Sequence, residues 1–172
     1  MSVPRSARWL SSTLAVLLLA GPIGTAGMGA AQSPDTTARR TQILFTCPHG
    51  AAKSVLASAY FQKLAKERGL AVRVDAAGTE PDPSVSPAVV EHLAKQGYQV
   101  PIDKPRLVSS ADLANADIVI SLGCDTSRLA VPTGALRKWD DVPAPSQDFA
   151  GADEAIRRHV VELLEELTQR AK

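Results

Sequence analysis

The sequence predicts an α/β fold, a three-layer sandwich on a four-stranded parallel sheet in flavodoxin-like order 2-1-3-4. Three observations carry this. Short apolar runs and helical patterns alternate from Ile43 to the C-terminus, as in a parallel sheet joined by helical crossovers. The run Ile118 to Leu122 (IVISL) is apolar on both faces, which suits a central strand covered above and below. Two apolar runs end in small-residue loops, at Cys47 and at Gly123-Cys124-Asp125. Right-handed crossovers in this order put strands one and three side by side. Both cysteines then lie at carboxyl strand ends, where such sheets bind ligands, and topology brings them within disulfide reach.

The elements follow in order. Ile43, Leu44 and Phe45 form the first strand, ending at Cys47. The first helix opens at Lys53-Ser54, with Leu56, Tyr60 and Leu64 on one face and Gly69 just past its end. Val72, Val74 and Ala76 alternate as strand two, which runs out at Ala77-Gly78-Thr79. Residues 80–87 (EPDPSVSP) are loop, and Ser86-Pro87 is a cap and first-turn pair for helix two, closed by Gly97. Ser109 with Asp112 three residues on resembles a capping box for a short helix three. Strand three is Ile118 to Leu122, and residues 126–136 read as loop. Lys138-Trp139-Asp140 reads as a short last strand, residues 141–151 as an exposed loop. Ile156, Val160, Leu163, Leu164 and Leu167 mark one face of a long terminal helix.

The chain of 172 residues has 45% hydrophobic content, enough for one domain with a core. Residues 1–31 stand apart. Arg5 and Arg8 precede the apolar run Leu14 to Ala20, and Gly29-Ala30-Ala31 offers a cleavage site before Gln32. These are the parts of a secretory signal peptide. An uncleaved membrane anchor is the alternative, opposed by Gly21, Pro22 and Gly24, which interrupt the run well short of the ~20 residues of a span. Residues 32–41 are polar and aperiodic, a tether; the folded domain spans 42–172. The expected location is periplasmic or secreted, with no stable membrane association after cleavage. Only Cys47 and Cys124 exist, and an oxidising compartment makes them either a bridge or a pair of free thiols. A net charge of +1 excludes nucleic acid as an expected partner.

The stretch Ile43 to Leu56 (ILFTCPHGAAKSVL) carries the chemistry. A strand that turns through small residues into a helix aims backbone N–H groups and a helix N-terminus at one point, which binds anions. The cradle comprises Pro48, His49, Gly50, Ala51, Ala52 and Lys53. A cysteine at its rim is favoured as thiolate, the nucleophilic form. A plain buried cysteine at a strand end is the bland alternative. His49 suits an acid or an anion donor, or is a solvated loop histidine; His92 and His159 read as packing or surface residues, and Trp139 as a plug.

The element order, the strand–Cys-loop–helix opening, Ala77-Gly78-Thr79, the segment Ser109 to Asp125 and the loop Trp139 to Pro145 (WDDVPAP) together resemble the low-molecular-weight protein tyrosine phosphatases and their relatives, the thioredoxin- and mycothiol-linked arsenate reductases. The likeness covers residues 42–170. It implies that Cys47 attacks phosphorus or arsenic, that Ser54 steadies the thiolate, and that the loop holds the oxyanion. The family's loop arginine is Lys53 here, which keeps the charge and loses the planar two-pronged grip. The family's acid in the late loop falls on Ala144, with Asp140 and Asp141 as nearby substitutes. Cys124 matches the cysteine that resolves the arsenic adduct, making Cys47 and Cys124 a redox pair. The implied partners are phosphate, arsenate or a phosphorylated substrate, with a thiol reductant for the reductase chemistry. No cofactor and no metal are called for. Three classes stay open: a cysteine-dependent enzyme, a degenerate oxyanion-binding module, and a thiol–disulfide protein.

Overall fold

The computed structural model describes residues 40–127 and 129–170. The expected signal segment and all of the tether except Arg40 and Thr41 lie outside these residues. Four strands and four helices follow one another as β1 (Thr41–Cys47), α1 (Lys53–Glu67), β2 (Val72–Gly78), α2 (Pro87–Lys95), α3 (Ser110–Asn115), β3 (Ile118–Ser121), β4 (Leu136–Lys138) and α4 (Phe149–Arg170). The strands form one sheet in the order β2-β1-β3-β4, every pair parallel. The fold class and strand order are those expected.

Strand periodicity sorts the core into two layers. Ile43, Phe45 and Cys47 join α1, α2 and α4 in a large cluster with Tyr60, Phe61, Leu93, Ile156 and Leu164. Leu44 joins Ala77, Leu113, Ala116 and Val119 in a smaller cluster under α3. The sheet is therefore covered on both faces, and β1 is buried from Ile43 to Cys47 and β3 throughout. The capping box of α3 is present in both directions: Ser109 Oγ accepts from Asp112 N–H at 3.1 Å, and Asp112 Oδ2 accepts from Ser109 N–H at 2.8 Å.

Several boundaries differ from expectation, and β3 stops at Ser121, one residue short of Leu122. β1 begins at Thr41, one residue inside the expected tether. β4 is Leu136–Lys138, so Lys138 alone of the expected strand belongs to it. Trp139 donates its N–H to Ser121 O at 2.8 Å and then leaves the sheet. Its ring lies 5.6 Å from Phe45 and stacks on His159 at 4.8 Å. Its apolar character serves as a plug between strand and helix, as expected of Trp139 if not of its strand. The terminal helix starts at Phe149, inside the expected loop. Asp148 explains the early start: its Oδ1 accepts the Gly151 N–H at 2.8 Å, satisfying a donor that the first turn would otherwise orphan.

Candidate active site

The site begins where β1 stops. Cys47 is 3% exposed and pairs with Gly78 across the sheet. The loop from Pro48 to Ala52 then folds back over the end of β2. Gly50 adopts φ 61°, and a Cβ there would lie 2.9 Å from Gly78 N. A Cβ on Gly78 would lie 2.6 Å from Gly50 N. Both distances are far below ordinary contact, so two backbones touch and both positions exclude a side chain. Gly50 was expected in the cradle; the part played by Gly78 was not.

The loop's carbonyls are taken by the segment after β2. Thr79 N–H donates to Cys47 O (3.4 Å), Glu80 N–H to Pro48 O (2.8 Å), Asp82 N–H to His49 O (3.0 Å) and Ser86 N–H to Ala51 O (3.0 Å). The N–H groups of residues 49–54 donate to no carbonyl or side chain among the described residues. A loop with engaged carbonyls and unengaged amides, leading into a helix whose first turn carries no acid, is electropositive and suited to an anion.

Cys47 Sγ donates to Ser54 Oγ at 3.2 Å, and Ser54 is fully buried in the first turn of α1. On loss of the thiol proton the same contact reverses, and the hydroxyl donates to sulfur. Lys53 does not fold over the loop. Its Nζ donates to Val142 O at 3.4 Å and sits 3.0 Å from where a Gly123 Cβ would be. The ammonium thereby ties α1 to the loop after β4 and lies beside the loop after β3. Lys53 still lines the same cleft as Cys47.

That cleft has a volume of about 410 Å³. It is lined by Pro48, His49, Ala51 and Ala52 of the loop, by Asp82, Ser86 and Ala88, and by Ala144, Pro145, Ser146 and Phe149. Ala144, where the resemblance places an acid, faces this space with a methyl group. Asp140 and Asp141 do not line it. Asp140 is exposed. Asp141 accepts from His159 Nε2 at 2.7 Å and from Arg158 Nη2 at 2.6 Å. The His159 hydrogen bond, more than the opposing slight burial, holds its carboxyl below the usual range. Asp141 is thus held by α4, and neither Asp140 nor Asp141 is among the residues that line the cleft.

Cys124 is buried, its Sγ 3.7 Å from Thr46 Oγ1 and its N–H donating to Ser121 Oγ at 3.3 Å. Burial pushes its thiol up, the Thr46 hydrogen bond opposes this, and the proximity of Cys47 adds to the rise. Both cysteines are unbridged. The structure thus gathers Cys47, the loop, Lys53 and Ser54 and brings Cys124 near them. His92 packs elsewhere, edge-on to Phe149 at 4.9 Å and 3.1 Å from the Tyr60 hydroxyl.

Asp82 was missed in the sequence. Its carboxylate Oδ1 lies 3.3 Å from His49 Nδ1. Position between Pro81 and Pro83 in a polar loop gave no local signal, because the pairing depends on how β2 ends beside β1.

Comparison with known proteins bears on this arrangement. A family model described as low molecular weight phosphotyrosine protein phosphatase matches residues 42–170. A proposed arsenate reductase of Halobacterium salinarum is 30% identical over 139 residues, covering 78% of this chain and 96% of that protein. The solved thioredoxin-dependent arsenate reductase of Corynebacterium glutamicum is similar with a TM-score of 0.64 and 25% identity, over 76% of this chain and 63% of that one. YfkJ of Bacillus subtilis superposes with a TM-score of 0.70 at 22% identity, over 77% of this chain and 98% of that one, a likeness of fold alone.

Proposed function

The chain belongs to the low molecular weight phosphotyrosine protein phosphatase family, and from that premise we propose an exported enzyme of phosphatase or arsenate reductase chemistry with Cys47 as its nucleophile. The observation that carries the reading is the 3.2 Å contact between Cys47 Sγ and Ser54 Oγ beneath a loop whose amides at 49–54 are unengaged. In the phosphatase reaction the thiolate attacks phosphorus, an S–P bond forms, and the ester oxygen leaves. Water then attacks phosphorus, phosphate departs, and the thiolate is regenerated. The loop amides and the α1 N-terminus hold the equatorial oxygens, and the Ser54 hydroxyl stabilises the departing thiolate. Lys53 contributes positive charge to the cleft, held off the anion by its bond to Val142 O.

A second reading is favoured by Cys124, which is buried within electrostatic reach of Cys47. Here the Cys47 thiolate displaces hydroxide from arsenate to give an S–As(V) adduct. The Cys124 thiolate then attacks Cys47 sulfur, the S–As bond breaks, arsenic takes both electrons, and arsenite leaves with a Cys47–Cys124 disulfide formed. An external dithiol returns the disulfide to two thiols.

Export rests on Arg5, Arg8 and the apolar run Leu14 to Ala20, and N-terminal sequencing of cell-derived protein starting at Gln32 is its test. The function is tested by turnover of para-nitrophenyl phosphate and of arsenate under reducing conditions, in wild type and in Cys47→Ser. Activity with either substrate that vanishes in Cys47→Ser supports the enzyme and names the branch. Failure of both substrates removes it, and oxyanion binding without turnover then leaves a binding module.

A further inference from the structure

We infer that His49 and Asp82 are the proton-transfer pair of this site, His49 giving a proton to the departing oxygen and Asp82 positioning its ring. The inference rests on the reading of Cys47 as nucleophile. An ester oxygen leaves phosphorus as an alkoxide unless it is protonated, and a positioned acid supplies that proton. No carboxylic acid stands on the late-loop wall, where Ala144, Pro145 and Ser146 line the cleft. Asp141 is occupied by His159 and Arg158.

The titratable groups lining the cleft are Cys47, His49, Lys53 and Asp82. Cys47 is the nucleophile. Lys53 is an ammonium bonded to Val142 O. An imidazole is the side chain whose proton exchange falls naturally near neutrality. His49 and Asp82 are tied at two points. The Asp82 N–H donates to His49 O at 3.0 Å, and the His49 Nδ1 meets Asp82 Oδ1 at 3.3 Å. The carboxylate stands on the Nδ1 side of the ring, which leaves Nε2 as the nitrogen open to proton exchange. Both side chains are about half exposed, at 63% and 49%, so the pair stands at the solvent edge of the cleft.

The steps balance. As the Cys47 thiolate forms its bond to phosphorus, the P–O ester bond breaks, and the proton on His49 Nε2 passes to the leaving oxygen. The neutral imidazole then takes a proton from the attacking water. Phosphate and the Cys47 thiolate separate, and His49 is protonated again.

The test compares leaving groups. With phenyl phosphate, whose leaving group needs a proton, His49→Ala is expected to lower kcat/KM by about 10²-fold. With 2,4-dinitrophenyl phosphate, whose leaving group departs unprotonated, the loss is expected to be small. The double variant His49→Ala, Ala144→Asp regains activity on phenyl phosphate, because a carboxylic acid now faces the cleft. Asp82→Ala lowers kcat by about tenfold with KM kept, and adds nothing in the His49→Ala background, since it acts only through that ring. Equal losses with both esters, or an additive effect of Asp82→Ala, overturn the inference while Cys47-dependent turnover stands. Absence of any Cys47-dependent turnover in wild type removes the inference together with its premise.

Discussion

Gly78 offers a perturbation whose size is set by the structure. Its own backbone conformation is one any residue adopts, so Gly78→Ala introduces one methyl group and no dihedral strain. That methyl carbon would lie 2.6 Å from Gly50 N, 2.8 Å from His49 C and 3.0 Å from Gly50 Cα. All three are backbone atoms, and none can rotate aside. Ordinary carbon contacts begin at about 3.5 Å, so the loop must retreat by roughly 1 Å. Overpacking of this kind costs about 1–3 kcal/mol, or about 3–5 °C in Tm for each kcal/mol at this domain size. The displaced segment contains His49 and Gly50, whose amides belong to the proposed cradle, and a shift of about 1 Å is worth on the order of 10²-fold in rate. The assay pairs thermal unfolding with kcat/KM on para-nitrophenyl phosphate and with phosphate binding by calorimetry. Gly97→Ala is the control. Unlike Gly78, Gly97 has a left-handed φ of 70°; it meets open space and lies far from the loop in sequence. It should lose about 1 kcal/mol of stability and no activity. A Gly78→Ala enzyme with wild-type kcat/KM and wild-type phosphate affinity would refute the claim that the Gly50–Gly78 contact shapes the site.

Further outcomes follow from individual contacts. Ser54→Ala removes the buried partner of Cys47 and is expected to lower kcat by ~10²-fold, with KM little changed, in steady-state kinetics. Lys53→Ala should weaken sulfate or phosphate binding by about tenfold and lower Tm, because one ammonium serves both the cleft charge and the Val142 carbonyl. Asp141→Asn should leave kcat/KM unchanged, since that carboxylate is bound to His159 and Arg158 away from the cleft. Asp112 carries a pH signature. Partial burial opposes its ionisation, yet hydrogen bonds from Arg106 and Ser109 hold its carboxyl down at about 2. A depressed carboxyl stabilises the fold above its ordinary range near 3.8 and loses that contribution as pH falls toward 2. Asp112→Asn should therefore cost about 1–2 kcal/mol at pH 7, allowing for solvent screening, with the difference from wild type closing between about pH 4 and pH 2 in denaturant titrations.

The cradle was legible because it is contiguous. Strand, small-residue loop and helix start lie within Ile43 to Leu56, and their order alone dictates the turn. Strand order followed from crossover handedness, and the Ser109–Asp112 capping box from a spacing of three. What was illegible depends on contacts distant in sequence. Lys53 meets Val142 across 89 positions. His49 meets Asp82 only because β1 and β2 end level, at Cys47 and Gly78. Nothing in EPDPSVSP distinguishes an acid that orients a ring from one that faces water. Trp139 misled because an apolar residue beside a short strand reads as strand, whereas its ring is needed between Phe45 and His159. The early start of α4 was hidden by the Pro and Gly around it, although Asp148, three residues before Gly151, had the spacing of a cap.

The central claim, that Cys47 forms a covalent bond to the oxyanion's central atom, is tested most directly by acid-quenched mass spectrometry. Wild-type protein mixed with para-nitrophenyl phosphate and quenched within one turnover should carry one phosphoryl group on the peptide containing Cys47, and the Cys47→Ala and heat-unfolded proteins should carry none. With arsenate, the same quench should yield a Cys47–Cys124 disulfide. Unmodified Cys47 with both substrates, in protein that nonetheless turns either of them over, would contradict the account.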